Sequence, residues 1–523
     1  MAEPRSNIVS NEPVKPPRRR PPGLTGRLKR RGRDWLEVEV AAADAETVEV
    51  FSRPVVAGTI AFIAGLIITG STMIEGTPVE VARFAGIGLG LSLISSVLFD
   101  LRYGFNNLFR ADLMALAALF FLTLVEYFFP QEDFNMMAAG KPIGEAAKLC
   151  FWGFAGIVLG RHIILIKKDL FGPLFARPVS GTFLVRIFWG CFIAGYLYMF
   201  SASDYDPIFM VECFMGPRFS QPWSRGTFGD WKALLYEFSM LIFLIPPIAG
   251  VILARHKNYT NLQITGIAFG LLFTLFYGFS SGTRNLFASY LVTLLMGFFF
   301  AVPSQQRRKA YVLGGICVVL LYFSTKLMLE FRQMGLKNYM KGYVQRFIED
   351  DEYEFAVDYN LNAIAGLYEV FPARYDYLGM EVPYWALVRP IPRAIWPGKP
   401  TGLSLGIEEA LGARGLTVAC TFVGEAYMSA GVLGIFLFGL FFGSAARTWE
   451  EMMGSKQSEY VILIYASGFF SIVISMRSML SFTTALLPTV AALTAGYLFL
   501  PKPKPASKGG TDRRRRPMHR SRV

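Results

Sequence analysis

Residues 263–302 read QITGIAFGLLFTLFYGFSSGTRNLFASYLVTLLMGFFFAV. Two uncharged apolar blocks, 263–280 and 285–302, stand on either side of the turn SSGTR. At about 1.5 Å of rise per residue, a helix of either block reaches nearly across the ~30 Å of hydrocarbon in a bilayer. Both blocks are apolar on every face, so neither resembles the one-sided helix of a soluble surface. The interruption between them is long enough only for a reversal. The stretch therefore predicts two antiparallel membrane helices joined by a tight turn.

The same pattern continues in both directions. Apolar blocks fall near 55–73, 82–99, 112–129, 146–163, 183–201 and 233–253 on the N-terminal side. On the C-terminal side they fall near 310–328, 421–444, 458–476 and 483–500, giving twelve with the opening pair. Composition agrees: 53% of the 523 residues are hydrophobic and only 17% are charged, well below the ~25% usual in globular domains. The expected fold class is an all-α polytopic membrane protein of about twelve spans. Residues 1–50 form a basic N-terminus and 51–329 carry spans one to nine. A large loop occupies 330–420, spans ten to twelve occupy 421–500, and a basic tail ends the chain at 501–523.

Charge sets the expected orientation. The connections LRYGFNNLFRAD, RHIILIKKDLFGPLFARP, RHKNYTN, SQQRRKA and ARTWEEMMGSKQS each carry at least two basic residues. The alternate connections EGTPVE and QEDFNMMAAGKPIGE are acidic on balance. The positive-inside bias then puts both termini on the cytoplasmic side and the 330–420 loop outside. Much of the +13 net charge lies in the tails at 16–33 and 502–520, where it suits an anionic lipid surface. No base-stacking module or zinc-finger spacing accompanies it, so nucleic acid is not the expected partner. Residues 35–50, WLEVEVAAADAETVEV, suit either a short surface element or a linker. Among five cysteines, Cys150, Cys191 and Cys317 sit in apolar blocks, while Cys213 and Cys420 flank outer segments where a disulfide is conceivable.

A loop as long as 330–420 is expected to contain structure of its own. The spacing of Phe355, Tyr359, Ile364 and Tyr368 predicts an amphipathic helix over 355–370, and the EDDEYE run before it reads as a solvated segment. Residues 389–400, RPIPRAIWPGKP, are a different matter. Four prolines fix φ and withhold donors, so the piece is a stiff loop carrying Arg389, Arg393 and Lys399, with Trp396 as an apolar anchor.

Basic residues on the outer side run against the topological bias and so need a reason. Arg284 ends the SSGTR turn, Arg332 follows span nine, and Arg477 opens the turn before the last span. Gly282 and Gly335 beside them allow tight turns and close approach. Lys326 lies just inside span nine, where snorkelling explains it. Any one arginine at a helix end serves equally well to hold a lipid phosphate. Several together suit a diphosphate, because guanidinium forks grip phosphate oxygens in pairs. The three histidines, His162, His256 and His519, all fall on the inner side. An outer-face base would therefore be a carboxylate, with Glu425 the best placed and Asp376 and Glu381 weaker. Pairing with an arginine to hold the loop is the other role open to Glu425. DYD at 204–206 has no partner residues for a metal site, and neither a Walker loop nor GxSxG occurs. No metal or cofactor is expected.

The order SSGTRN, YLGMEVPYW, IPRAIWPGKP and VGEAYMSAGVLG resembles the oligosaccharide repeat-unit polymerases (Wzy-like O-antigen polymerases). The specific part spans about 379–436; the first 260 residues match only as a run of spans. The resemblance implies a GT-C-like architecture and glycosyl transfer at the outer face of a bacterial inner membrane. A glycan on undecaprenyl diphosphate would be moved onto the next lipid-linked repeat unit, without metal, to build a surface polysaccharide. Arg284, Arg332, Arg393 and Arg477 would bind diphosphate, with Arg389 and Lys399 assisting. Glu425 would activate the acceptor or orient an arginine. Implied partners are the lipid-linked oligosaccharides and membrane lipids, with room for a chain-length regulator. An O-antigen ligase, which carries a loop histidine lacking here, and a twelve-span transporter are the alternatives.

Overall fold

The computed structural model describes residues 51–166, 171–218, 220–223, 231–342, 357–393, 395–413, 418–454 and 458–502. All regular structure among them is helical. The N-terminal basic stretch, the 35–50 element, EDDEYE, Phe355 and the basic C-terminal tail lie outside the described residues.

The principal helices are α1 (Val56–Ser71), α2 (Pro78–Leu101), α3 (Ala111–Thr123), α4 (Ile143–Gly160), α5 (Gly181–Ala202), α6 (Leu235–Ala254) and α7 (Asn261–Ser280). They continue with α8 (Arg284–Ala301), α9 (Arg307–Phe331), α10 (Asn360–Val370), α11 (Glu381–Val388), α12 (Thr421–Met453), α13 (Glu459–Ser475) and α14 (Phe482–Phe499). Nine helices among the described residues are long and apolar enough to cross a membrane. The three remaining apolar blocks of the sequence coincide with the shorter apolar helices α1, α3 and α13. The 3-10 turn Val125–Phe128 extends α3, and Met479–Ser481 precedes α14.

Small residues let the central helices touch backbone to backbone. A Cβ on Gly156 would stand 2.6 Å from Phe436 O, and one on Gly443 would stand 2.1 Å from Ile157 O. Hydrocarbon gives helices no hydrophobic drive to associate, so such close approach, with its dispersion gain, is what holds α4 on α12. By contrast α9 is only 17% buried along its apolar window, which leaves most of that helix to lipid.

The connections separate cleanly to the two ends of the bundle. At one end a buried ionic network joins four elements. Arg110 meets Asp112 at 2.5 Å and Asp100 at 3.2 Å, while Arg161 meets Asp100 at 3.4 Å. Glu450 at the end of α12 lies 3.9 Å from Arg110 and 3.5 Å from Arg447. Arg161 and His162 both reach the Thr59 hydroxyl. Arg255 with Glu459, and Arg307 with Asn106, bind further connections at the same end. The sequence counts Arg110 and Arg161 only among the basic residues of two connections. Both are fully buried and spent on internal carboxylates.

The 330–420 loop does contain elements of its own: Leu336–Met340, α10, α11 and Ile407–Ala410. The expected amphipathic helix is corrected in two respects. It begins at Asn360, because Tyr359 takes a left-handed φ of 49° that a helix cannot include. It is also not a surface helix: Asn360, Leu361 and residues 363–367 are buried, between α4 and α12. Tyr368, expected on the apolar stripe, is 37% exposed. All five cysteines are free, so the conceivable Cys213–Cys420 disulfide is absent.

Candidate functional site: four arginines and one carboxylate

At the opposite end of the bundle from the ionic network, four loops bring guanidinium groups together. The α7–α8 reversal turns on Gly282 at φ 64°, and its Cα faces the Arg332 backbone. Arg284 opens α8 two residues later, and Arg332 caps α9. Beyond Arg332, Gly335 at φ 83° presses on Gly216 and Pro217, where a Cβ would stand 2.5 Å from the Gly216 carbonyl carbon. The N–H of Lys337 donates to Met215 O at 2.9 Å, and the N–H of Arg218 donates to Arg332 O at 3.1 Å. That clip brings Arg218 beside Arg332.

Arg477 arrives on the turn between α13 and α14. Its Nη2 and Nε lie 3.0 and 3.3 Å from Asp358 Oδ2, while Arg284 Nη2 lies 3.6 Å from Asp358 Oδ1. Arg284 also donates to Val357 O at 3.4 Å. The backbone on which Asp358 sits is fixed from below. The N–H groups of Val357 and Tyr359 both donate to Oε2 of the fully buried Glu126, at 2.6 and 3.4 Å.

Four neighbouring cations, two of them on Asp358, make a strongly positive site. Burial, then the Arg284 charge, pushes the Arg332 guanidinium below the ordinary arginine value, with Asp358 opposing. Arg218 is pushed the same way by burial and by Arg332, Arg477 and Arg284 in turn. Both shifts say that the site disfavours its own positive charge. An added anion would relieve it.

Glu425 lies under this site rather than in it. Its Oε1 accepts from the Ser478 hydroxyl at 2.6 Å, and Oε2 accepts from the N–H groups of Met479 at 2.5 Å and Leu480 at 3.3 Å. The residue is 5% exposed. The pairing with an arginine expected as its structural role is not among its contacts with the described residues; bonds to Ser478, Met479 and Leu480 instead fix the turn that presents Arg477.

The GEAYMSAG stretch contains a break that sequence reading missed. Ala430 and Gly431 leave helical geometry, Gly431 with φ 62°, so α12 is a short buried segment followed by a longer one. The carbonyls freed near the break accept from the loop: Leu378 N–H to Met428 O and Gly379 N–H to Ser429 O, both 2.8 Å. Tyr377 packs on Gly431, where no Cβ fits. A non-helical backbone at membrane depth survives only with such partners. The two motifs YLGMEVPYW and GEAYMSAG are thus halves of one joint.

The proline loop makes a second cationic patch. Lys399 Nζ donates to Arg389 O at 2.7 Å and Ile391 O at 2.8 Å, and sits 5.5 Å from the Trp385 ring centre. Arg393 Nη2 donates to Pro400 O at 2.9 Å. The Lys399 ammonium is shifted downward by burial and then by Arg393. Among the described residues no hydrogen bond or ion pair joins Arg389, Arg393 or Lys399 to the four-arginine site. Glu381 accepts from the N–H and hydroxyl of Ser404, which ties α11 to the loop's far end. Trp396 is half-buried, and Lys326 lies over the Tyr322 ring at 5.2 Å, as a snorkelling lysine should.

Of the seven residues singled out in the sequence, the structure therefore gathers Arg284, Arg332 and Arg477. It adds Arg218 and Asp358, and it sets Arg389, Arg393 and Lys399 in a patch of their own. Asp206 of the DYD triplet caps the helix Pro207–Phe214 through the N–H groups of Ile208 and Phe209. Among the described residues no group of histidine, cysteine or acidic side chains could hold a metal ion. No family model, curated protein or solved structure matches the chain.

Proposed function

We propose that the protein polymerises lipid-linked oligosaccharide repeat units, by glycosyl transfer at the outer face of a bacterial inner membrane. The observation that carries this reading is the meeting of Arg218, Arg284, Arg332 and Arg477 at one end of an apolar helical bundle, with a single carboxylate, Asp358, between Arg284 and Arg477. In such a transfer an acceptor hydroxyl attacks the anomeric carbon of the growing glycan. The bond from that carbon to the diphosphate oxygen breaks, and the polyprenyl diphosphate leaves with the electron pair. Fixed guanidinium groups stabilise the charge that develops on the leaving oxygen, at no cost of reorganisation. A helix left open to lipid, α9, ends at Arg332, so a polyprenyl chain lying in the outer leaflet would bring its diphosphate to the site.

The finer architecture belongs to the same proposal. The shorter helices α1, α3 and α13 complete twelve spans, both termini are cytoplasmic, and the four-arginine end faces outward. A GT-C-like arrangement follows, with the 330–420 loop capping the reaction chamber. Undecaprenyl diphosphate is the carrier that the sequence resemblance implies, and the proline-loop patch is a second place where the long lipid-linked glycan is held.

Reconstitution tests the reading directly. Purified protein in proteoliposomes, given a labelled polyprenyl-diphosphate-linked repeat unit, should yield a ladder of longer chains without net movement of lipid across the bilayer. Arg332→Ala should abolish the ladder with protein levels unchanged. Normal chain lengths from that variant, or transport without extension, would overturn the assignment.

A further inference from the structure

The diphosphate reading leaves one group without a task. Asp358 is the carboxylate that lies between Arg284 and Arg477, and it engages Arg477 with both Nε and Nη2. This is how a phosphate oxygen engages a guanidinium fork. Its other oxygen faces Arg284. Asp358 therefore stands where part of a diphosphate would stand.

Nor can the carboxylate leave with its loop. Glu126 holds the N–H groups on both sides of it, Arg284 holds the Val357 carbonyl, and Asn360 Nδ2 donates to Leu122 O at 2.7 Å just beyond. Only the side chain can turn. An arriving diphosphate thus takes Arg284 and Arg477 from an anion that stays within reach and takes them back. The three side chains are 25–34% exposed, so the exchange happens at an open site.

Resting on the reading of this site as a diphosphate site, we infer that Asp358 is a resident competitor for the ligand, and that its task is product release. Transfer of the glycan frees an ionisable oxygen on the diphosphate, so the product binds arginines more tightly than the substrate does. Arg284 and Arg477 without this counter-anion would hold it too long. A fixed carboxylate lowers affinity for both forms and keeps the site turning over.

Binding of inorganic pyrophosphate to the full-length protein in nanodiscs, by calorimetric titration, tests this apart from activity. Asp358→Asn is nearly isosteric, keeps an acceptor and removes the charge; it should bind pyrophosphate at least about 10-fold tighter than the wild type, the size of one charge-assisted hydrogen bond. Asp358→Glu keeps the charge and should stay within about threefold of the wild type, well short of that tenfold step. In the reconstituted assay Asp358→Asn should also be inhibited more strongly by added polyprenyl diphosphate. Should Asp358→Asn fail to fold, Asp358→Ser carries the same expectation. Equal or weaker pyrophosphate binding by the charge-free variant, with clear binding by the wild type, overturns the inference and leaves the site standing. Absence of binding by both overturns the diphosphate reading itself.

Discussion

A Cβ placed on Gly282 would stand 3.3 Å from the Arg332 Cα. The reversal that starts α8 and the end of α9 therefore meet with no side chain between them, and Gly282 adopts the left-handed φ of 64° that makes the meeting possible. Arg284 and Arg332 are neighbours because of this approach. The turn of the opening hairpin is both the fold's reversal and a wall of the site.

Gly282→Val should damage the site more than the fold. A β-branched residue at positive φ costs about 1–2 kcal/mol, and its bulk must push the Arg332 backbone away. Pyrophosphate affinity should fall about 10-fold or more, since charge-assisted hydrogen bonds need held geometry. Titration of the variant in nanodiscs, beside its melting midpoint, measures both effects. Unchanged affinity would mean that Arg332 does not serve the site.

Glu425→Gln separates a structural carboxylate from a base. The amide oxygen can accept from the Met479 and Leu480 N–H groups, and the amide nitrogen can donate to the Ser478 hydroxyl, so every partner stays satisfied. Chain extension should therefore remain within about 10-fold of the wild type, whereas loss of a general base costs about 10²–10⁴-fold. Glu425→Ala leaves buried donors without an acceptor and should lose about 1–3 kcal/mol of stability. A Glu425→Gln enzyme with intact melting behaviour and no extension would restore the catalytic role.

The two cationic patches should differ in what their loss does. Arg332→Ala should weaken pyrophosphate binding about 10-fold or more, as one charge-assisted contact to a phosphate is lost. Arg393→Ala should change it less than about threefold, because the guanidinium is engaged with the Pro400 carbonyl outside the four-arginine site. With a full lipid-linked substrate Arg393→Ala should instead raise KM. Equal losses of pyrophosphate affinity in both variants would merge the patches into one site.

The apolar helices were legible because apolar length is a local property: nine of the twelve blocks fall on helices long and apolar enough to cross a membrane, and three on shorter apolar helices. Arg284, Arg332 and Arg477 stand out in the sequence because each runs against the charge bias expected of its side. Arg218 was not, since it joins the site only through the backbone bond to Arg332 and the seating of Gly335 on Gly216. Asp358 falls inside the helix expected over 355–370 and stands out only when Glu126, 231 residues before Val357, fixes its backbone. The partition of the cations was hidden for a related reason. Nothing in RPIPRAIWPGKP tells that Lys399 and Arg393 turn back onto the loop's own carbonyls. The break at Gly431 was hidden because GEAYMSAG is good helix sequence, and its partner turn at Leu378 and Gly379 lies some fifty residues earlier.

Asp112→Asn should be among the most damaging single changes, although it lies at the end of the bundle away from the site. Arg110 and Arg161 are both fully buried, and Asp112 sits 2.5 Å from the first and 3.9 Å from the second. Removing its charge takes from Arg110 its shortest ionic contact and leaves Asp100 and Glu450 alone to face two buried guanidinium groups, at a cost of about 3–5 kcal/mol. Asn keeps the shape and an acceptor oxygen, so the loss isolates the charge. The melting midpoint in detergent should drop sharply, with a lower yield of folded protein. Adding Arg161→Gln to Asp112→Asn restores the charge balance and should recover part of the loss. A double variant worse than the sum of its parts would show that Arg161 is held by Thr59 and Ser96 rather than by the carboxylates.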